Sequence, residues 1–390
     1  MVRSPCTQMP VVSSSLLSQR FAVLPTNLAA PEERVQEYWD MYTALTPYNL
    51  PLHKVEQDWQ TVQPATLEQW KAWRGKKSHW QKQVAFMNKE LEARQGDTDK
   101  LVADFAPDLL NGMVGALTHT IIHAGWAIDA GSPWMIAEGL AYLNFAHVGL
   151  ADSQLVWDKH MNDATPMESL QRVAETWHSE NLGETWVAKA KASYDENFHP
   201  ELVPAGFQWE VAKILDSAHA VATELPGWIT TASMEELWEN LYRAVVYLFL
   251  ATRDDQGHGN FIVLHLMTSL WGLEKTLGVI NDEETTRKAI GHYYAGVICL
   301  LSASAGGFPQ KSSLVDIVQS FPENFVDSAD LDWTDMVKAG IAQEEEHNIK
   351  LVYAMRELWN RYGQWKGFSE AAKSFTLTPD IGPKKGFTEK

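Results

Sequence analysis

The chain of 390 residues is predicted to fold as an all-α protein. From residue 31 onward, apolar side chains recur at the three- and four-residue spacing of helices almost throughout. No run rich in valine, isoleucine and threonine alternates with polar residues between turns, so the sequence offers no good strand candidate. With 45% hydrophobic residues and 17 tryptophans, the chain can bury a large core.

Prolines, acidic residues and capping residues indicate where the predicted helices begin. Pro31 is followed by two glutamates, as is usual in a first helical turn, and Thr66 precedes a second start. Ser233 lies three residues ahead of Glu236, which is the spacing of a capping box. The later predicted segments span 107–130, 134–147, 166–178, 237–252, 260–277, 282–302 and 333–365, and the glycines and proline of 305–309 predict a loop.

The apolar pattern continues across every candidate boundary, so one helical domain over residues 31–375 is predicted, followed by a tail over 376–390. Residues 1–30 contain no Asp or Glu, two Arg and several Ser, a composition typical of a transit peptide or a disordered leader. We exclude this leader from the fold and expect a cytoplasmic protein, with organelle targeting as the alternative.

Composition excludes several classes of function. The net charge of −18 and the lack of a basic stripe argue against nucleic acid. No stretch reaches 18 uninterrupted apolar residues, so no membrane span is expected. Two cysteines are too few for a disulfide framework. Neither a glycine-rich nucleotide motif nor a G-x-S-x-G nucleophile motif occurs.

Several histidines lie within apolar helical pattern, where a polar ring without a partner costs stability. His119 and His123 are four residues apart, so both rings project from one face of a helix. Such rings are commonly satisfied core residues, but rings from distant segments can also share one cation. The candidate metal ligands are His119, His123, His265 and His347, with His53 as an alternative.

Lys350 follows His347 by three residues on the last predicted helix. A lysine ammonium has no lone pair for a metal. Burial favours the neutral amine, which can add carbon dioxide to form a carbamate, an anion able to bind a cation. The alternative is a surface lysine that pairs with Glu346 or Glu357.

A rival site would use carboxylates. Helical di-iron proteins carry two Glu-x-x-His motifs and two further glutamates. Here Glu344 and His347 form one such motif, and a second would have to use Asp216 and His219. We therefore prefer the site of histidines and lysine.

Three ordered blocks between about residues 110 and 360 resemble the questin oxidase-like family. The first is His119-Thr-Ile-Ile-His123-Ala-Gly-Trp with the Ala-Glu138-Gly-Leu-Ala segment behind it. The second is Phe261-Ile-Val-Leu-His265-Leu-Met-Thr-Ser, and the third is Glu-Glu-His347-Asn-Ile-Lys350. Two features depart from the family pattern: the histidine-rich first block is reduced to Asn-Leu-Pro-Leu-His53, and Thr120 replaces the usual proline.

The resemblance implies an oxygen-using enzyme that opens the ring of aromatic polyketides such as anthraquinones. It also implies one iron ion, bound by histidines and by carboxylated Lys350. Such chemistry is described either as a Baeyer–Villiger-type oxygenation with NADPH or as an iron-dependent dioxygenation. We therefore expect Fe(II), O2, a small aromatic substrate and NADPH as an optional reductant, and we leave the oligomeric state open.

Further residues are expected around this site. Glu138 is predicted to be buried, because its helical turn is otherwise apolar, and to bond a ligand histidine or its neighbour, with a salt bridge elsewhere as the alternative. Glu346 is predicted to be solvated. Trp126 and Trp271 are candidates for an aromatic wall that holds the substrate. The alternatives from other classes are a non-catalytic helical binding or scaffold protein of the same fold and a di-iron carboxylate protein.

Overall fold

The computed structural model describes residues 62–193, 206–304, 306–328, 331–343 and 346–377. Helices make up most of these residues, which confirms the predicted all-α class. The first α-helices are α1 Leu67–Ala72, α2 Trp80–Ala93, α3 Thr98–Phe105, α4 His119–Asp129, α5 Pro133–Phe145, α6 Pro166–Ser179, α7 Lys189–Ala192, α8 Phe207–Asp216 and α9 Ala220–Thr223. They continue with α10 Trp228–Thr231, α11 Met234–Ala251, α12 Phe261–Ile280, α13 Glu283–Ala303, α14 Lys311–Ser320, α15 Thr334–Ala342, α16 Glu346–Arg361 and α17 Lys366–Lys373.

Side-chain caps begin the helices that the sequence indicated. Ser233 Oγ accepts the Glu236 amide at 3.3 Å, and the Glu236 carboxylate accepts the Ser233 amide at 3.2 Å, so the predicted capping box is confirmed. The Asn260 side chain accepts two amides at the start of α12, and the Asp282 carboxylate accepts the Thr285 amide at the start of α13.

The prediction of one continuous helix over 107–130 is wrong. A 3-10 helix spans Pro107–Gly112, and α4 begins only at His119. Ala116, Leu117 and Thr118 between them all have positive φ, at 52°, 53° and 62°. Left-handed backbone costs a residue with a Cβ roughly 1–2 kcal/mol, so the surrounding packing must hold this turn. It fixes where α4 starts and how His119 leaves the backbone.

Two further differences are smaller. The segment 333–365 forms two helices, α15 and α16, rather than one, because Gln343 ends the first in a turn. A short parallel sheet pairs β1 (Val156–His160) with β2 (Glu224–Pro226), although no strand was expected. Strands this short carry too few residues to show an alternating pattern.

The central helix α4 packs closely on both sides through glycines. A Cβ on Gly125 would overlap the backbone of Gly272 in α12, and a Cβ on Gly139 in α5 would lie 2.7 Å from Ala124 Cα. The axis of α4 can therefore approach the axes of α12 and α5 more closely than residues with a Cβ at these positions would permit.

Helices α4, α12 and α16 run side by side in the same direction. Near their amino ends the rings of His119, His265 and His347 contact one another. Two turns further along, the rings of Trp126, Trp271 and Tyr353 do the same. The amino-terminal ends of the three helices thus meet in one place. Within the described ranges, no helix is long and apolar enough to cross a membrane.

Candidate metal centre

Three histidines from distant parts of the chain converge inside the helical core. His119, His265 and His347, here called the histidine triad, each offer one ring nitrogen, and these nitrogens lie within 4.8 Å of one another. His265 and His347 are buried, and His119 is partly exposed. Nitrogen ligands at about 2.0–2.1 Å from one ion lie at most about 4 Å apart. Small movements of the rings would therefore bring the triad to a single metal.

Backbone carbonyls fix the tautomers of two triad rings. His119 Nδ1 donates to the Ala116 carbonyl at 2.6 Å, and His265 Nδ1 donates to the Phe261 carbonyl at 2.8 Å. Since a carbonyl only accepts, the proton of each neutral ring belongs on Nδ1. The two Nε2 atoms face each other at 3.3 Å and carry lone pairs. This is the arrangement in which imidazoles bind metals.

The surroundings of the triad favour neutral imidazoles. Burial, together with the neighbouring rings of His119 and His347, holds the pKa of His265 well below its ordinary value. Burial and the positive charge of Lys350 do the same for the pKa of His347. His119 is the first residue of α4 and lies at the positive end of that helix's dipole. A neutral imidazole is the form that binds a metal.

An aromatic ring covers one side of the triad. Phe261 lies with its ring centroid 4.5 Å from that of His265 and 4.8 Å from that of His347. Phe261 is buried, and its carbonyl is the group that orients His265. The ring therefore excludes water from this side, while His119 is the partly exposed ring of the triad.

Lys350 is buried at the same place, not on the surface. Its Nζ lies 3.6 Å from one carboxylate oxygen of Glu346, whose other oxygen is 3.7 Å from His347 Nε2. The Glu346 side chain is 12% exposed, so the prediction that Glu346 is solvated is wrong. The helix begins at Glu346, and in its first turn residues 346, 347 and 350 point to one side of the bundle. The sequence signal for Glu346 was its four-residue spacing from Lys350.

His123 does not belong to the triad. It lies one turn beyond His119 in α4, and its Nε2 is 3.3 Å from a carboxylate oxygen of Glu138 in α5. Both side chains are almost completely buried. The expected burial of Glu138 is observed, but this carboxylate faces His123 and not a triad ring. As a metal ligand, His123 would have to leave this contact.

The two candidate wall tryptophans lie deeper than expected. Trp126 and Trp271 are buried, with ring centroids 6.1 Å apart, two helical turns from the histidines. The ring that contacts the imidazoles is that of Phe261, which the sequence analysis did not single out. His53 lies outside the described residues.

The second motif of the rival carboxylate site is not assembled in the described part of the chain, and Glu344 of the first motif lies outside that part. Asp216 is exposed, and the His219 ring stacks on Trp186 at a centroid distance of 4.6 Å. The second motif of a di-iron site is thus engaged elsewhere. The group of described residues with metal-ligand geometry contains three histidines.

The fold and the triad together define a class: a mostly helical protein with a set of converging imidazoles that could hold a metal ion. The chain matches the family described as questin oxidase-like over residues 26–355 and belongs to that family. The resemblance of the three sequence blocks is thereby confirmed. Membership suggests oxygenase activity on aromatic polyketides, and hence a small-molecule substrate. A comparison with curated proteins gave no match.

Proposed function

We propose that this protein is an iron-dependent oxygenase that opens the ring of an aromatic, quinone-like substrate. The observation that supports this best is the histidine triad, three imidazoles that converge beside Lys350 and Glu346 in the core of a questin oxidase-like chain. Imidazole is a suitable ligand for iron. When bound, Fe(II) would supply the one-electron chemistry that lets O2 react with an electron-rich ring.

The proposed ligands are His119, His265, His347 and an anion from the first turn of α16. Carboxylated Lys350 is our first candidate for that anion, because an ammonium buried beside a cation and imidazoles is strongly unfavourable. Glu346 is the second candidate, since its carboxylate already lies between Lys350 and His347. Either anion would give the site the single negative charge that a carboxylate gives in facial-triad oxygenases.

The chain's other residues would prepare the site for an aromatic substrate. Phe261 excludes water from one side of the imidazoles and keeps His265 oriented through its carbonyl. The carbonyl of Ala116 likewise orients His119, the partly exposed ring of the triad. Glu138 would hold His123 in place within α4, one turn from His119. NADPH remains the optional reductant.

The experiment that tests the proposal measures metal content and oxygen use together. The purified protein is loaded with Fe(II) without oxygen, its metals are measured by mass spectrometry, and O2 uptake is followed with an anthraquinone. We expect one iron per chain and oxygen uptake that depends on the quinone. Two irons per chain would support the di-iron alternative. Zinc in place of iron, or no metal, would contradict the oxygenase and favour a hydrolytic or non-catalytic role.

A second experiment addresses the anionic ligand. We expect Lys350→Ala to lose iron and oxygen uptake, with partial recovery on addition of a small carboxylate such as acetate. Glu346→Gln, which keeps the shape of the side chain, is the comparison. Full iron occupancy in Lys350→Ala together with loss in Glu346→Gln would assign the anion to Glu346. A carbamate carbon signal after exposure to ¹³C-labelled carbon dioxide would assign it to Lys350.

A further inference from the structure

Beneath the histidine triad lies a second cluster of three rings, one on each of the same helices. Trp126, Trp271 and Tyr353 stand six or seven residues beyond His119, His265 and His347, respectively. Their ring centroids are 5.3 to 6.1 Å apart. With a rise of 1.5 Å per residue, the cluster lies about 10 Å from the triad.

The hydrogen bonds of these rings are not equivalent. Tyr353 donates its hydroxyl to Asp129 Oδ2 at 3.1 Å, and Trp271 Nε1 donates to the same oxygen at 3.3 Å. Trp126 Nε1 donates to the Thr268 carbonyl, which cannot take up a proton. Tyr353 alone among the three combines an O–H group, a carboxylate acceptor and a partly exposed ring.

Positive charges single out Tyr353 further. Lys275 Nζ lies 4.5 Å above the Trp271 ring and the Arg361 guanidinium lies 5.4 Å from it, whereas the Arg356 guanidinium lies 5.8 Å from the Tyr353 ring. Cations on the face of an indole oppose a second positive charge on that ring. An oxidised state would therefore settle on Tyr353, which becomes neutral when it gives up its proton.

We propose that Trp126 and Tyr353 form a redox relay that reduces a strong one-electron oxidant at the metal site when no substrate is bound. The oxidant takes one electron from Tyr353 by way of Trp126 and is thereby reduced. The O–H bond of Tyr353 breaks, and its proton passes to the Asp129 carboxylate, which leaves a neutral phenoxyl radical. A small reductant, such as ascorbate or a thiol, returns the electron at the partly exposed ring, and the proton moves back from Asp129 to the tyrosine oxygen. The relay's purpose rests on the proposed oxygenase function, but its chemistry can be tested without it.

The test uses the metal-free protein and an oxidant generated by light, tris(bipyridine)ruthenium(III). Samples are frozen after the flash, and radicals are identified by electron paramagnetic resonance. We expect a neutral tyrosyl signal that is lost in Tyr353→Phe. Tyr247→Phe is the matched control, because the Tyr247 hydroxyl is buried and donates to the Phe321 carbonyl, which is no base. Asp129→Asn should slow formation of the signal.

The results separate the relay from the oxygenase. An equal signal in Tyr353→Phe and Tyr247→Phe, or no tyrosyl signal in the wild type, overturns the relay. Neither result bears on the proposed metal site, because this test uses metal-free protein. If Tyr353→Phe unfolds, Asp129→Asn decides, since an unchanged rate there overturns the proton step. In iron-loaded protein kept in air without substrate, peptide mass mapping should show more oxidation at His265 and Phe261 in Trp126→Phe than in the wild type. An unmoved pattern contradicts the route through Trp126.

Discussion

At the scale of single residues, the site depends on rings whose protons are already placed. His119 and His265 each donate Nδ1–H to a carbonyl of their own helix or of the turn before it. Their Nε2 atoms, one on α4 and one on α12, carry lone pairs and face each other at 3.3 Å. The Glu138 carboxylate and the His123 ring make a second polar contact nearby in the same apolar surroundings.

His265→Ala should abolish metal binding, because it removes the ring that lies closest to both others, at centroid distances of 4.7 and 4.8 Å against 6.1 Å between His119 and His347. His258→Ala is the control, since His258 forms a partly exposed pair with Asp254 at 3.0 Å. Metal content after loading with Fe(II) is the measurement. Equal iron in both variants would contradict the triad as the binding site.

Glu138→Gln should weaken iron binding by less than about 10-fold, because this carboxylate contacts His123, one turn from His119, and no triad ring; losing a carboxylate that orients a ligand ring costs about 10- to 100-fold. Titration with a competing chelator measures the affinity. An unchanged affinity would mean that the contact between His123 and Glu138 serves packing alone, and that the triad does not depend on it.

At the scale of elements, the close contact of α4 and α12 at two glycines allows His119 and His265, nearer the amino ends of these helices, to approach each other. Gly125 and Gly272 lie at the crossing of α4 and α12, six and seven residues beyond His119 and His265. The left-handed turn at 116–118 then sets where the first turn of α4 begins. Close approach and helix phase together determine the distance between the two Nε2 atoms.

Gly125→Ala should destabilise the protein by about 1–3 kcal/mol, because the added methyl overlaps α12 and forces the helices apart. It should also weaken metal binding by moving His119 from His265. Gly278→Ala in α12 is the matched control: nothing lies within 4 Å of its Cβ position. That variant should gain up to about 1 kcal/mol from helix propensity. Similar unfolding free energies for the two variants would argue against the close crossing.

At the scale of the whole molecule, buried and partly buried histidines outside the site link stability to pH. Burial lowers the pKa of His160, His219 and His292 from the ordinary value of 6.5. In the unfolded chain these rings take up protons as the pH falls through 6.5, while in the folded protein they do so only at lower pH. Stability from these groups is therefore full above pH 6.5 and is lost as the pH falls below it.

The effect of one histidine can be isolated with a conservative variant. His219 Nδ1 accepts the Val221 amide at 3.3 Å, which requires a neutral ring. His219→Gln keeps an acceptor and removes the titration, so its melting temperature should fall less than that of the wild type as the pH drops below 6.5. Changes in the repulsion among the many carboxylates are common to both proteins. A parallel decline in both would contradict this assignment.

Helical periodicity determined the all-α class from sequence alone, because an apolar stripe at helical spacing is a local property. The capping box at Ser233 is local in the same way, and so are the blocks that placed the chain in its family. The residue types of the triad were visible too, since a histidine in an apolar helix must be satisfied by some partner.

Only the tertiary structure decided which of those histidines meet. The choice of His119 over His123 follows from the left-handed turn at 116–118 and from the glycine crossing with α12, and a helix pattern encodes neither. The same holds for the place of Glu346 beside Lys350, the ring of Phe261 over two imidazoles, and the aromatic cluster beneath them. These are distances between segments as far as 228 residues apart in the chain, from His119 to His347. The sequence determines which face of each helix is apolar. Packing determines which faces contact each other and how far each helix is shifted along its axis, because both depend on volumes and close contacts over the whole core.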